Sequence, residues 1–389
     1  MVWGPERGDP ALADQGDAGA AGGRLHGAAA AADAQRGDRG SGRRPAPWQT
    51  GKRASWRQGR ALNEGAGGQP PHPHPLIGEE GTAPGAFSVQ PGAGAPAISK
   101  RRAWWLAIRP FSFPASIVPV LVGTASASDE AFRPLLFVLA LAGSMLIHAG
   151  TNLATDFFDF TDGVQPRATL GGVIRGGLIS AKAVHWAAIA CFLAGAACGL
   201  AIVAATGWPV LAAGFASVLA GYFYAASPIA YGRRGLGEVM VFAFMGVLMV
   251  MASAYVQVER LTWESFYASL PVGLLVANIL HANNLRDIEN DRARGKVTIA
   301  GIVGRPAADR VLYALTLAAF GVVAITAAIE AVPVSALLAL AGMPAAIASF
   351  RLLNERESAA LNPLVRGTAM LHLQFGLLLA LGLLLNLYI

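Results

Sequence analysis

HANNLRDIENDRARGKVTIA (281–300) follows a mostly apolar run, 266–282. A segment greasy enough to enter hydrocarbon therefore ends in two carboxylates four residues apart, Asp287 and Asp291, and then in a cluster of Arg and Lys. NLATDFFDF (152–160) does the same after the apolar run 133–151, with Asp156 and Asp159 three residues apart. Spacings of three and four place side chains on one helical face. Asn152 stands four before Asp156, and Asn283 four before Asp287. Each segment thus presents an amide and two acids along one stripe, and the likeness of the stripes hints at duplication.

The rest of the chain sets the medium in which those acids sit. Of 389 residues, 54% are apolar and 14% charged, where a soluble domain averages about a quarter charged. The mean hydropathy is +0.47. Nearly all of the apolar surplus lies after Arg102, which implies a polytopic membrane protein. Residues 1–99 are another material, rich in Gly, Ala, Pro and Arg, nearly balanced in charge and without apolar periodicity. Such a segment buries too little to offset the entropy of ordering. We expect a disordered, low-complexity extension, for which an over-called start codon is an equal explanation. It has no apolar run of the signal-peptide kind near its start. PHPHP (71–75) reads as linker. Cys191 and Cys198 are about 10 Å apart along one helix, too far for a disulfide, and read as packing residues.

Apolar segments at 103–125, 133–151, 183–206, 208–230, 237–257, 266–282, 308–329, 332–350 and 369–388 predict an all-α protein. It has nine transmembrane helices around a central cavity. With the N-terminus in the cytoplasm, Arg101, Arg102, Arg109, Arg167, Arg175, Lys182, Arg233, Arg234, the basic residues of 283–310, Arg351, Arg356 and Arg366 fall inside. Arg133 and Arg260 alone fall outside. Both acidic stripes then face the cytoplasm. The positive net charge of +6 matches a membrane surface, and no nucleic-acid partner is implied.

Acids at a membrane helix end are costly unless paired or metal-bound. Four convergent carboxylates call for a hard divalent ion, and Mg²⁺ takes carboxylate, amide and phosphate oxygens. Asn152, Asp156, Asp159, Asp287 and Asp291 are the candidate metal ligands. Lys296, Arg286, Arg292, Arg175 and Asn283 are the candidates for binding a diphosphate bridged by the ions. A solvated charged face would explain one such loop; it explains two matched stripes poorly. The residues alone give a Mg²⁺–diphosphate site facing a lipid-like cavity.

Residues 100–389 resemble the UbiA superfamily of membrane prenyltransferases, most of all its menaquinone branch. TDFFD (155–159) with Asn152 upstream is similar to the first family motif, and NNLRDIENDRARGKVT (283–298) nearly completes the second. YFYAASPIAYGRRGLGE (222–238) resembles the tyrosine loop between them, AYVQV (254–258) the helix end that follows, and TLGGVIRGG (169–177) the glycine-rich loop. The resemblance implies Mg²⁺-dependent transfer of a polyprenyl group from an allylic diphosphate to 1,4-dihydroxy-2-naphthoate with loss of CO₂, in the bacterial cytoplasmic (inner) membrane. No obligate protein partner is implied. Asp156, Asp159, Asp287, Asp291 and Tyr224 would be catalytic, with Tyr222, Tyr231 and Glu238 as further candidates.

The sequence departs from the family at Thr155, where Asn is usual, and at Gln165, where many members carry an acid that Asp162 stands close enough to replace. His148 and His281 read as helix–helix hydrogen bonds. Rival readings are a different aromatic acceptor such as 4-hydroxybenzoate, a transporter, or a non-catalytic isoprenoid-diphosphate binder. Transporters place their acids at midplane in broken helices, unlike these.

Overall fold

The computed structural model describes residues 99–163, 173–174, 176–354 and 359–386. The expectation for residues 1–99 lies outside them, save Ser99. α1 (Lys100–Ile108) starts at Ser99, whose side chain caps Arg102 N. It ends where Arg109 adopts φ 58°, ψ 58°, because a following proline disfavours the α conformation. After the turn Pro110–Ser112, α2 (Pro114–Ala125) continues at a bend of 43°. That bend turns Arg109 inward.

Then follow α3 (Pro134–Thr161), α4 (Ala181–Thr206) and α5 (Trp208–Phe223). α6 (Gly237–Val258) and α7 (Trp263–Arg286) come next. Two short helices, α8 (Ile288–Ala293) and α9 (Ile299–Val303), precede α10 (Arg305–Ala328), α11 (Val334–Asn354) and α12 (Asn362–Leu385). Among the described residues there is no sheet, only a bridge between Arg234 and Val297.

The protein is an integral membrane protein. Seven of these helices are long and apolar enough to cross a bilayer, or eight if the bent pair α1–α2 is one span. The expectation is nine. Each predicted segment has a helical counterpart, but α5 has 16 residues, about 24 Å, short of a ~30 Å hydrocarbon core.

Lipid tails are as apolar as leucine, so packing between helices rests on close van der Waals contact. Gly246 of α6 meets Gly273 of α7 so closely that a Cβ on Gly246 would lie 2.2 Å from Gly273 Cα. α6 also contains a π-helical stretch, Phe242–Leu248, a widening common at functional sites. α7 is the central helix, with 72% of its apolar window buried. Val118, Val250, Leu275, Phe320 and Phe375 join α2, α6, α7, α10 and α12 in one core. A second core joins α1, α3 and α4 through Ala103, Leu153 and Phe192. Leu193, Leu200, Phe215 and Ile325 are exposed, as suits lipid-facing surfaces.

Candidate active site

The two acidic stripes come together. Asn152, Asp156 and Asp159 lie along the last turns of α3, and Asn283 along the last turn of α7. Asp287 caps α7, and Asp291 follows on α8. All six side chains line one cavity of about 280 Å³, together with Arg109, Tyr224, Tyr231, Arg233, Asn284, Arg286 and Lys296. The tyrosine loop and the loop after α8 are joined at its mouth, where Gly235 N donates to Val297 O (2.9 Å) and Val297 N to Arg233 O (3.0 Å).

Each acid has its own cation. Arg109 donates to Asp156, which is 2% exposed. Arg233 reaches Asp159 at 2.8 Å and Asp162 at 2.6 Å. Arg286 grips Asp287 with both Nε (2.9 Å) and Nη2 (2.5 Å). Lys296 Nζ lies 3.1 Å from Asp291. Burial pushes the Asp291 carboxyl above its usual range, and Lys296 opposes that shift. The expected metal ligands thus line one cavity as ion pairs. Among the described residues, no three His, Cys, Asp or Glu side chains form a ready ligand cluster.

The donor set nevertheless suits a hard cation. Asp156 Oδ2 is buried without a hydrogen-bond partner among the described residues. The asparagine amides point their nitrogens away from the site. Asn152 Nδ2 donates to Ile108 O (2.9 Å), Asn283 Nδ2 to Ile279 O (3.3 Å) and Asn284 Nδ2 to Glu238 Oε1 (3.0 Å). A carbonyl or carboxylate only accepts, so each Oδ1 is the end left free among the described residues. Carboxylate and amide oxygens are the ligands Mg²⁺ prefers.

Tyr224 packs against Gly232, where a Cβ would come within 2.7 Å of the ring; any larger residue would expel it. Its hydroxyl is pushed well above its ordinary range by burial, with Glu238 adding to the shift, so it stays protonated. Tyr231 donates to Ala220 O (2.7 Å). Tyr222 packs instead against Phe158 and Phe192.

Other expectations need correction or fall outside view. Arg292 does not line the cavity; it donates to Gly301 O (2.7 Å), because the short α8 turns it away. Asp162 is held at the rim by Arg233 and Ser227 (3.0 Å) and is not among the cavity residues. Arg175 and Gln165 lie outside the described residues. Thr155 donates to Thr151 O (2.8 Å).

Arg109 and Arg233 enter the site although their sequence reading was topological only. An arginine seven residues into an apolar span needs a partner, and that signal pointed to Arg109. His281 is fully buried between Ala308 O (2.9 Å) and Glu238 Oε1 (3.2 Å). It is the expected interhelical link, and through Glu238 it fixes Asn284.

The UbiA prenyltransferase family profile matches residues 116–386. The 1,4-dihydroxy-2-naphthoate octaprenyltransferase of Escherichia coli (strain K12) is 30% identical over 301 residues, 74% of this chain and 97% of its own. The protein of the same name in Bacillus subtilis (strain 168) is 31% identical over 214 residues, 54% of this chain and 68% of its own. UbiA prenyltransferase domain-containing protein 1 of Gallus gallus is 31% identical over 290 residues, 74% of this chain and 86% of its own. A solved UbiA homolog from Archaeoglobus fulgidus superposes with a TM-score of 0.50 at 18% identity, over 71% of this chain and 99% of that one. That last likeness concerns the fold alone.

Proposed function

This chain belongs to the UbiA prenyltransferase family, and on that premise we propose that it moves a polyprenyl group from an allylic diphosphate to 1,4-dihydroxy-2-naphthoate, with loss of CO₂, giving a demethylmenaquinol. The reading is carried by four carboxylate–cation pairs at the mouth of a cavity with a deep apolar wall. Asp156, Asp159, Asp287, Asp291 and the Oδ1 atoms of Asn152 and Asn283 would hold Mg²⁺. When bound, that ion draws charge onto a departing diphosphate.

Arg109, Arg233, Arg286 and Lys296 line the same cavity and are the cations that would bind the diphosphate oxygens, stabilising them most as the leaving group gains charge. Met245, Met249, Val276 and Ile279 exclude water from the allylic carbon. The Tyr224 ring gives an aromatic face to a developing carbocation. Loss of the diphosphate and attack by the electron-rich acceptor ring form the new C–C bond; CO₂ then leaves the acceptor. The names of the E. coli and B. subtilis relatives favour the naphthoate acceptor. The bias of Lys and Arg favours an acidic mouth on the cytoplasmic side, and the E. coli and B. subtilis relatives favour a bacterial cytoplasmic (inner) membrane.

The test incubates membranes carrying the full chain with polyprenyl diphosphate, Mg²⁺ and either 1,4-dihydroxy-2-naphthoate or 4-hydroxybenzoate. Mass spectrometry follows the products. Prenylated quinol from the naphthoate is expected. Product from 4-hydroxybenzoate alone would replace the acceptor, and no product from either would overturn the transferase reading.

A further inference from the structure

The cavity has two unlike walls. Met240, Val241, Phe244, Met245, Met249 and Leu280 make one side greasy, as a hydrocarbon tail requires. Six hydroxyls, those of Ser112, Ser116, Ser144, Thr151, Thr155 and Ser217, also line the cavity, interspersed with Ala115, Ile147 and Ala220. A tail laid against them would leave their spare acceptor lone pairs unused.

The hydrogens of these hydroxyls all point into the protein. Ser144 donates to Leu141 O (2.9 Å), Thr151 to Ile147 O (2.9 Å) and Thr155 to Thr151 O (2.8 Å). Ser217 donates to Ala213 O (2.8 Å), and Ser112 to Arg109 O (2.8 Å). Ser112 has one hydrogen, so His148 Nε2, 3.1 Å from its oxygen, carries a proton and donates to it. The neutral ring then has a bare Nδ1, which accepts from Ser116 at 2.8 Å. Asn152 Nδ2 also donates to Ser112 (3.3 Å), so that oxygen is saturated.

What remains facing the cavity is a set of oxygen lone pairs with no donor among them. Such a wall binds a group that brings its own hydrogen. We propose that it is a subsite for the O–H groups of the aromatic acceptor, centred on Ser144 and Thr151, which lie two helical turns apart on one face of α3. His148 stands between them and locks Ser112 and Ser116. A carboxylate finds no donor on this wall and is left to the cationic mouth. The proposal rests on the transferase reading for the identity of its ligand.

The experiment measures equilibrium binding to the full chain in membranes, without prenyl diphosphate and without oxygen. The probes are 1,4-dihydroxy-2-naphthoate and its 1,4-dimethoxy counterpart, which lacks both hydrogens. In the unmodified protein the dihydroxy probe should bind about tenfold or more tightly, the effect of one or two net hydrogen bonds. Thr151→Val and Ser144→Ala should each shrink that gap while leaving the dimethoxy affinity unchanged, and Thr151→Ser should restore it. A purely structural role would lower both affinities together. Equal binding of the two probes, or parallel loss in the variants, overturns the subsite. Hydroxyl-dependent binding without any prenyl transfer would instead support the subsite and sink the transferase reading.

Discussion

The two acidic stripes look alike in sequence and are built differently. On α3, Asn152, Asp156 and Asp159 ride one continuous helix, and their cations arrive from afar: Arg109 is 47 residues from Asp156, and Arg233 is 74 from Asp159. After α7 the helix breaks at Asp287, and the cations are local. Arg286 adjoins Asp287, and Lys296 comes from the loop that follows Asp291. The first stripe is therefore a tertiary device that exists only when α1 and the tyrosine loop dock. The second can form within its own segment.

The largest difference should come from Arg109→Met. It leaves Asp156 buried without its cation, and breaking a buried pair costs about 3–5 kcal/mol. Folded protein after detergent extraction, followed by thermal unfolding, should fall along with activity. The double change Arg109→Met with Asp156→Asn should recover the fold and not the turnover. Survival of the single variant at unchanged stability would break the contrast between the stripes.

Arg233→Gln should act next. Its pairs with Asp159 and Asp162 are half-shielded at the rim, so the fold should hold while transfer drops by about tenfold or more, the scale of a lost charge-assisted contact. A normal rate in normalised membranes would remove Arg233 from the site. Arg292→Ala should be smaller still, within about twofold in rate, because a surface contact with Gly301 O contributes little. A strong fall in diphosphate affinity would return Arg292 to the site.

Hydropathy marked every long apolar helix, since membrane spans advertise themselves by composition. It could not tell a 16-residue helix or a bent pair from a full crossing, because all carry the same composition. The spacings of Asn152, Asp156 and Asp159 and of Asn283, Asp287 and Asp291 were legible because helical periodicity is local. A charge inside an apolar span marked Arg109 as needing a partner but not which one, and Arg233 carried no such mark, because no periodicity reports a contact over 47 or 74 residues. Arg292 was misplaced because α8 is a separate six-residue turn rather than a continuation of α7. The buried link from His281 through Glu238 to Asn284 needed α6 and α7 packed together before it could be seen.

The most direct test of the site is Asp291→Asn. Its size is kept and one oxygen remains, so the helix should survive. The control is Glu289→Gln, two residues earlier, whose side chain is 89% exposed. Prenyl transfer at saturating Mg²⁺, normalised to folded protein, should fall by roughly a hundredfold in Asp291→Asn, the scale of one lost electrostatic contact in a preorganised site. It should stay unchanged in Glu289→Gln. Turnover like that of the unmodified protein in Asp291→Asn would contradict the assignment of this cavity as the active site.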